Sequence, residues 1–178
     1  MYQVHVTLKK HPGSKLKVPD TKVHVICNLL PDGQWRKEWI TTTNIERTER
    51  DAVKVMRDIA SSMAKIGVTR QKIEVPVKKL QGDRQVLYVE AHIKLLLSLP
   101  NLDRALNMGL NVSVNAEKPG SMMLTFRRKR YKEVVEECKA AELEKFLGFD
   151  PARPIRYEAA IIDSNPDADN DWIKPYGK

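Results

Sequence analysis

The chain has 178 residues, of which 42% are hydrophobic and 30% charged, and its formal net charge is +8. That composition describes a globular chain able to bury a core and excludes a disordered one. No run approaches the roughly 18 apolar residues of a membrane-spanning helix, so no membrane partner is expected. The start, Met1-Tyr2-Gln3-Val4-His5, enters an alternating pattern without a cationic and apolar leader, so no signal peptide is expected. Cys27 and Cys138 both sit in apolar patterns. They are expected as buried free thiols, which points to a reducing, cytoplasmic setting. The positive charge favours anionic partners. Aromatic residues make up only 6% of the chain, too few for a base-stacking platform. The expected partner is therefore an anionic small molecule or an RNA end rather than extended nucleic acid.

Strand-like alternation opens the chain: Tyr2, Val4, Val6 and Leu8 share one face, and Gln3, His5, Thr7 and Lys9 the other. A second strand is predicted over Lys22 to Leu30, with a turn at Pro31-Asp32-Gly33 and a third strand from Trp35 to Thr42. Thr43 and Glu46 have capping-box spacing. Ala52, Met56, Ile59, Met63 and Ile66 then recur at helical spacing up to Gly67, and Ile73 to Lys78 predicts a fourth strand. Val86 to Leu96 alternates again, with Tyr88, Glu90, His92 and Lys94 on the polar face. A connector, Pro100 to Gly109, leads to strands at Leu110 to Ala116 and Met122 to Arg128, separated by a Lys118-Pro119-Gly120 turn. A helical stripe from Tyr131 to Leu147 ends at Gly148, and Ile155 to Asp163 is the last predicted strand.

Each half of this order reads β-β-β-α-β. His5 and His92, Gly67 and Gly148, and Glu74 and Glu158 recur at similar separations. The expected fold class is α+β: two pseudo-duplicated halves, 1–80 and 84–163, with mainly antiparallel sheets and one main helix each. Residues 164–178 form a covering tail, pinned by Trp172, on one compact unit. Each helix covers one sheet face. The opposite faces, carrying His5 and His92, meet or line a cleft.

Those two histidines are the leading candidates for catalysis, because imidazole exchanges protons near neutral pH. Val4-His5-Val6-Thr7-Leu8 resembles the His-x-Thr/Ser strand motif of the two-histidine (LigT-like) phosphoesterase superfamily, which includes RNA 2',3'-cyclic phosphodiesterases. The resemblance implies that His5 and His92 trade protons and that Thr7 holds phosphate. Lys94 stands where the second hydroxyl is expected and can hold phosphate by charge. Thr125 and Arg127 share a strand face, which places Arg127 beside His92 and Lys94, and both are expected to hold phosphate with Thr7 and Lys94. The cationic run Arg127-Arg128-Lys129-Arg130 precedes a helix start, where cations are unfavourable unless an anion joins them. The expected function is a phosphate-handling enzyme, a hydrolase of a cyclic phosphate on RNA or a nucleotide, with no cofactor. A non-catalytic binder of an anionic ligand or protein segment is the alternative.

A further alternative uses His5, Glu74, His92 and Glu158 as a metal set. Two histidines and two glutamates suit an octahedral ion with open positions. The set resembles the arrangement in the paired-module glyoxalase/extradiol-dioxygenase superfamily, though the order of helix and strands differs. Asp167-Ala168-Asp169-Asn170-Asp171 has the spacing of a calcium loop but lacks its turn glycine and final glutamate. The sequence has no nucleotide-binding glycine loop, CxxC motif or nucleophile elbow.

Overall fold

The computed structural model describes all residues except 14, 15, 17, 31–35, 81, 117–119 and 168–178. Its strands are β1 (Tyr2–Leu8), β2 (His24–Leu30), β3 (Arg36–Ile45), β4 (Val68–Pro76), β5 (Tyr88–Leu96), β6 (Asn111–Asn115), β7 (Ser121–Arg128) and β8 (Arg156–Asp163). Its helices are α1 (Glu49–Ser62), α2 (Leu99–Asn107) and α3 (Tyr131–Ala140). The strands close into one antiparallel barrel in the order β1-β3-β2-β6-β7-β5-β8-β4, with β4 returning to β1.

This corrects the expected α+β fold of two packed halves. The β4–β8 ladder runs from Lys72↔Asp163 to Pro76↔Glu158, and β2 meets β6 at Asn28↔Asn115 and Leu29↔Val114. These two ladders join stretches that had been assigned to separate sheets, so the barrel has no internal boundary. The expected internal duplication is likewise unsupported: α2 lies between β5 and β6, whereas no α-helix is described between β1 and β2. Alternation reports which way a side chain points but not which strand lies alongside.

Closure gives the alternation its meaning. The apolar faces turn outward, beneath the helices. Val4, Val6, Leu8 and Ile73 pack with Ala52, Met56, Ile59 and Met63 of the α1 region. Val89, Ala91, Ile93 and Leu95 join Val112, Leu124, Phe126, Val134 and Cys138 in a second core, against which α2 and α3 lie. Fully burying each large aliphatic or aromatic side chain contributes about 1.5–3 kcal/mol. The hydrophobic stabilisation thus lies outside the barrel wall, and the polar faces are left to line the lumen.

Several local expectations shift. β3 runs on to Ile45, and the Thr43 hydroxyl donates to the Lys22 carbonyl at 2.8 Å instead of capping a helix. The cap of α1 is Thr48, whose hydroxyl accepts from Asp51 N while the Asp51 carboxylate accepts from Thr48 N. The stripe predicted to continue to Leu147 breaks after Ala140, where Glu142 turns to φ 47 before a 3-10 turn at Leu143–Lys145. The Pro31-Asp32-Gly33 turn, Lys118 and Pro119, and Trp172 lie outside the described residues. Among the described residues, no helix is long and apolar enough to cross a membrane.

The observed cap generates a direct test. Thr48→Ala should cost about 1 kcal/mol of stability in urea unfolding, the usual value for a lost N-cap. Glu46→Ala should stay within about 0.5 kcal/mol, as for an ordinary surface change. Equal costs would favour the cap first read from the sequence.

Candidate functional site

Inward alternation on β1, β4, β5 and β8 brings His5, Lys72, Glu74, Glu90, His92 and Glu158 to one cavity of about 270 Å³. Thr7, Lys94 and Thr125 also line it, with Ile26, Ile40, Met122 and Met123 forming an apolar wall. Both candidate histidines therefore open onto a common space. Glu74 lines the lumen with them, while its neighbours Ile73 and Val75 are buried on the other face of β4.

Each carboxylate of this cluster is about 1–2% exposed. Buried charge requires partners. Lys72 Nζ lies 2.8 Å from Glu74 Oε1 and 3.1 Å from Glu90 Oε2. Arg127 Nε donates to Glu90 Oε1 at 2.7 Å, and its guanidinium stacks 4.2 Å from the Tyr88 ring centre. His5 Nε2 lies 2.9 Å from Glu74 Oε2. His92 Nε2 lies between Glu90 Oε2 at 3.4 Å and Glu158 Oε2 at 3.5 Å, while its Nδ1 is 3.3 Å from the Thr125 hydroxyl. Arg156 reaches the same Glu158 oxygen at 3.1 Å.

The charges divide the carboxylates into two kinds. Burial pushes Glu74 upward, but the Lys72 ammonium and the His5 contact bring it down to about 2. Burial likewise opposes ionisation of Glu90, yet Lys72 and Arg127 hold it well below the usual carboxylate range. Glu158 goes the other way: burial and the Glu74 charge raise it against the pull of His92 and Arg156. Burial disfavours the His92 imidazolium, but Glu90, Glu74 and Glu158 together raise its proton affinity above normal.

One grouping stands out chemically. Ligand atoms of Glu74, His92 and Glu158 all lie within 4.8 Å of one another. Glu74 Oε1, Glu158 Oε1 and His5 Nε2 are buried without a hydrogen-bond partner. The ion-pair contacts of Glu74 Oε1 with Lys72 and of His5 Nε2 with Glu74 lack hydrogen-bond alignment, and His92 and Arg156 both approach the other oxygen of Glu158. Mixed carboxylate and imidazole donors suit first-row divalent ions, so these residues fit such a metal, with His5 adjoining through Glu74.

The proposed phosphate cradle is placed differently. Arg127 is held by Glu90 and is not part of the cavity lining. Arg128 pairs with Glu137 of α3, so carboxylates answer Arg127 and Arg128, while Glu133 caps the helix by accepting from the backbone Arg130 N at 3.2 Å. Both histidines abut carboxylates, which repel a phosphate. The hydrolase expectation therefore gains no support from the lumen. Lys72 was missed as a site residue, although its period-two relation to Glu74 places it on the same face. The Arg70–Tyr88–Asp163 cluster was missed as well. Arg70 donates to Asp163 at 2.6 Å from NH2 and 3.0 Å from Nε, and the Tyr88 hydroxyl also donates to Asp163.

No family model, curated protein or solved structure matches the chain. Function is therefore argued from the site's own chemistry.

Burial raises Asp163, but hydrogen bonds from Arg70 and Tyr88 and the Arg70 charge lower it further, below its ordinary 3.8. A carboxyl lowered in the folded state contributes stability above its unfolded pKa and loses it as pH falls through the folded one. Asp163→Asn should therefore flatten the loss of stability below about pH 4 and cost about 3 kcal/mol at neutral pH, as when one partner of a buried pair is removed. Urea unfolding across pH measures both. An unchanged acid limb would show that Asp163 is not linked to folding.

Proposed function

We propose that the chain is an enzyme whose barrel lumen holds a divalent metal ion on Glu74, His92 and Glu158, and that it acts on a small molecule admitted to the lumen. The observation that carries this reading is the convergence of two buried carboxylates and the half-buried His92 within 4.8 Å, each carboxylate with an oxygen that no hydrogen bond satisfies. Glu158 also faces Glu74 with too little positive charge nearby, so a cation relieves a repulsion already built into the fold.

The remaining lumen residues suit this role. Lys72 and Arg127 occupy Glu90, which keeps that third carboxylate tied to fixed cations. Thr125 beside Nδ1 orients the His92 ring and leaves Nε2 turned to the carboxylates. His5 is partly accessible and touches Glu74, a position from which it can accept or return a substrate proton. A bound divalent ion supplies Lewis acidity toward a substrate oxygen or a bound water. A lumen of about 270 Å³ lies just below the usual range of about 300–1,000 Å³ for ligand pockets. It suits a metabolite-sized substrate and leaves no room for a polymer. The buried free thiols Cys27 and Cys138 support a cytoplasmic location.

Calorimetry of chelator-treated protein with Zn2+, Co2+ and Mn2+ should reveal a single site. Metal at a hundredfold excess over Kd should raise stability by about 2.7 kcal/mol. Glu158→Gln should abolish that gain while leaving the metal-free protein as stable or more so, because it removes a charge opposed to Glu74. His92→Ala should weaken binding as well. Absence of binding in the wild type, or equal binding in both variants, would retire the metal centre.

A further inference from the structure

A second cavity, of about 210 Å³, adjoins the lumen and shares His92, Lys94, Met123 and Arg156 with it. Its outer wall is the segment between α3 and β8, which contributes Phe149, Asp150 and Arg153. That segment is firmly placed. The buried Asn101 side chain donates to the carbonyls of Leu96 and Leu147 at 2.8 Å each and accepts from Leu147 N at 2.8 Å, stapling the segment's start to the end of β5. Gly148 follows at φ 76, so close to β5 that an added Cβ would lie 3.0 Å from Leu96 Cβ. Asp150 then accepts from Ala152 N at 2.9 Å, and its carbonyl accepts from Arg153 N at 3.0 Å, in a tight turn that delivers Arg153 to the cavity.

The charge in this vestibule is one-sided. Lys94, Arg153 and Arg156 face a single carboxylate, Asp150. Neither Lys94 nor the Arg153 side chain has an ion pair or hydrogen bond among the described residues, and Arg156 is engaged only through Glu158. Cations that outnumber the carboxylates around a concavity attract an anion, and guanidinium and ammonium groups hold carboxylate or phosphate oxygens well. The lumen behind it is different in kind, with carboxylates on one wall and Ile26, Ile40 and Met122 on another.

We infer that the vestibule is an anion subsite, which grips the phosphate or carboxylate end of a small organic substrate while the remainder enters the lumen past His92 and Met123. Capture needs only the vestibule's own cations; the fate of the ligand rests on the metal reading above. The substrate class is thus a compact monoanion or dianion with a short, partly apolar body. Arg127, first expected to bind phosphate, is replaced in this role by Arg153 and Arg156.

The test uses the full chain in chelator, so that metal plays no part. Inorganic phosphate and acetate are titrated separately and followed by amide chemical shifts. At low salt, one or both should bind with shifts centred on 148–156. Whichever binds more tightly identifies the headgroup. Lys94→Ala and Arg153→Ala should each weaken binding about fivefold or more, the scale of one charged contact at a partly open site. Lys132→Ala, an exposed control on α3, should leave it unchanged. A parallel titration with Zn2+ in place of chelator completes the test. Three results would overturn the inference: no binding of either anion by the wild type in either condition, equal affinity in the Lys94→Ala/Arg153→Ala double variant, or binding that appears only with Zn2+ and vanishes in Glu158→Gln. The last result would move the anion to the metal and keep that centre. Binding of phosphate or acetate by a protein that takes no metal would keep the vestibule and remove the centre.

Discussion

Lys72 sits between Glu74 and Glu90, and the interior of the barrel depends on that contact. Three buried carboxylates around one lumen cannot all be ionised without compensation, because their desolvation costs several kcal/mol each. Lys72 reaches two of them, and Arg127 reaches Glu90 from its other side. Burial of the ammonium opposes its charge, yet Glu74 and Glu90 raise its proton affinity well above the ordinary value. The three groups thus hold one another ionised. Glu158 is left with Arg156 and His92, and that imbalance gives the lumen its chemistry.

The hydrophobic cores lie on the other side of the wall, and this separation has a consequence. Each strand carries a stabilising face under a helix and a chemical face toward the lumen. Val4 and Val6 can hold β1 against α1 while His5 and Thr7 vary without opening a core cavity. A site built on rigid strands and pinned from behind keeps its side chains in place. The carboxylates can then remain close in spite of their repulsion.

Sequence alternation made the chemical faces legible. It put His5 and Thr7 together, and it put Glu90, His92 and Lys94 together, all on polar faces. It could not reveal that β4 pairs with β8 or β2 with β6, because lateral neighbours are chosen by contacts far apart in the chain. Two expected α+β halves therefore became one barrel. The same gap hid the role of Lys72, whose meaning depends on Glu90 arriving from a strand elsewhere in the sequence. Arg127 was rightly read as sharing a face with Thr125. Its partner, Glu90, sits directly across the β5–β7 ladder at Glu90↔Arg127, a pairing that spacing along the chain does not show. The Thr43–Glu46 cap failed for a similar reason: β3 gains a ladder with β1 through Tyr2↔Ile45, and that pairing extends the strand past the capping signal.

Arg156 lines both cavities, and under the proposed function it would couple their occupancies. In the metal-free protein its guanidinium is the nearest fixed cation to Glu158. An anion that draws Arg156 outward leaves Glu158 opposed to Glu74 with only the histidines to answer it. Glu74, His92 and Glu158 would hold the divalent ion of the proposed centre, and its charge would answer Glu158 in place of Arg156. On that reading the two ligands would favour each other, and the coupling would be equal in both directions because it is a difference of binding free energies. Its sign follows from charge alone: a cation inside and an anion at the mouth relieve the same frustrated contact from opposite ends. On that reading a substrate that carries its own negative group would bind best to a barrel already holding metal, and would tighten the hold on that metal once seated.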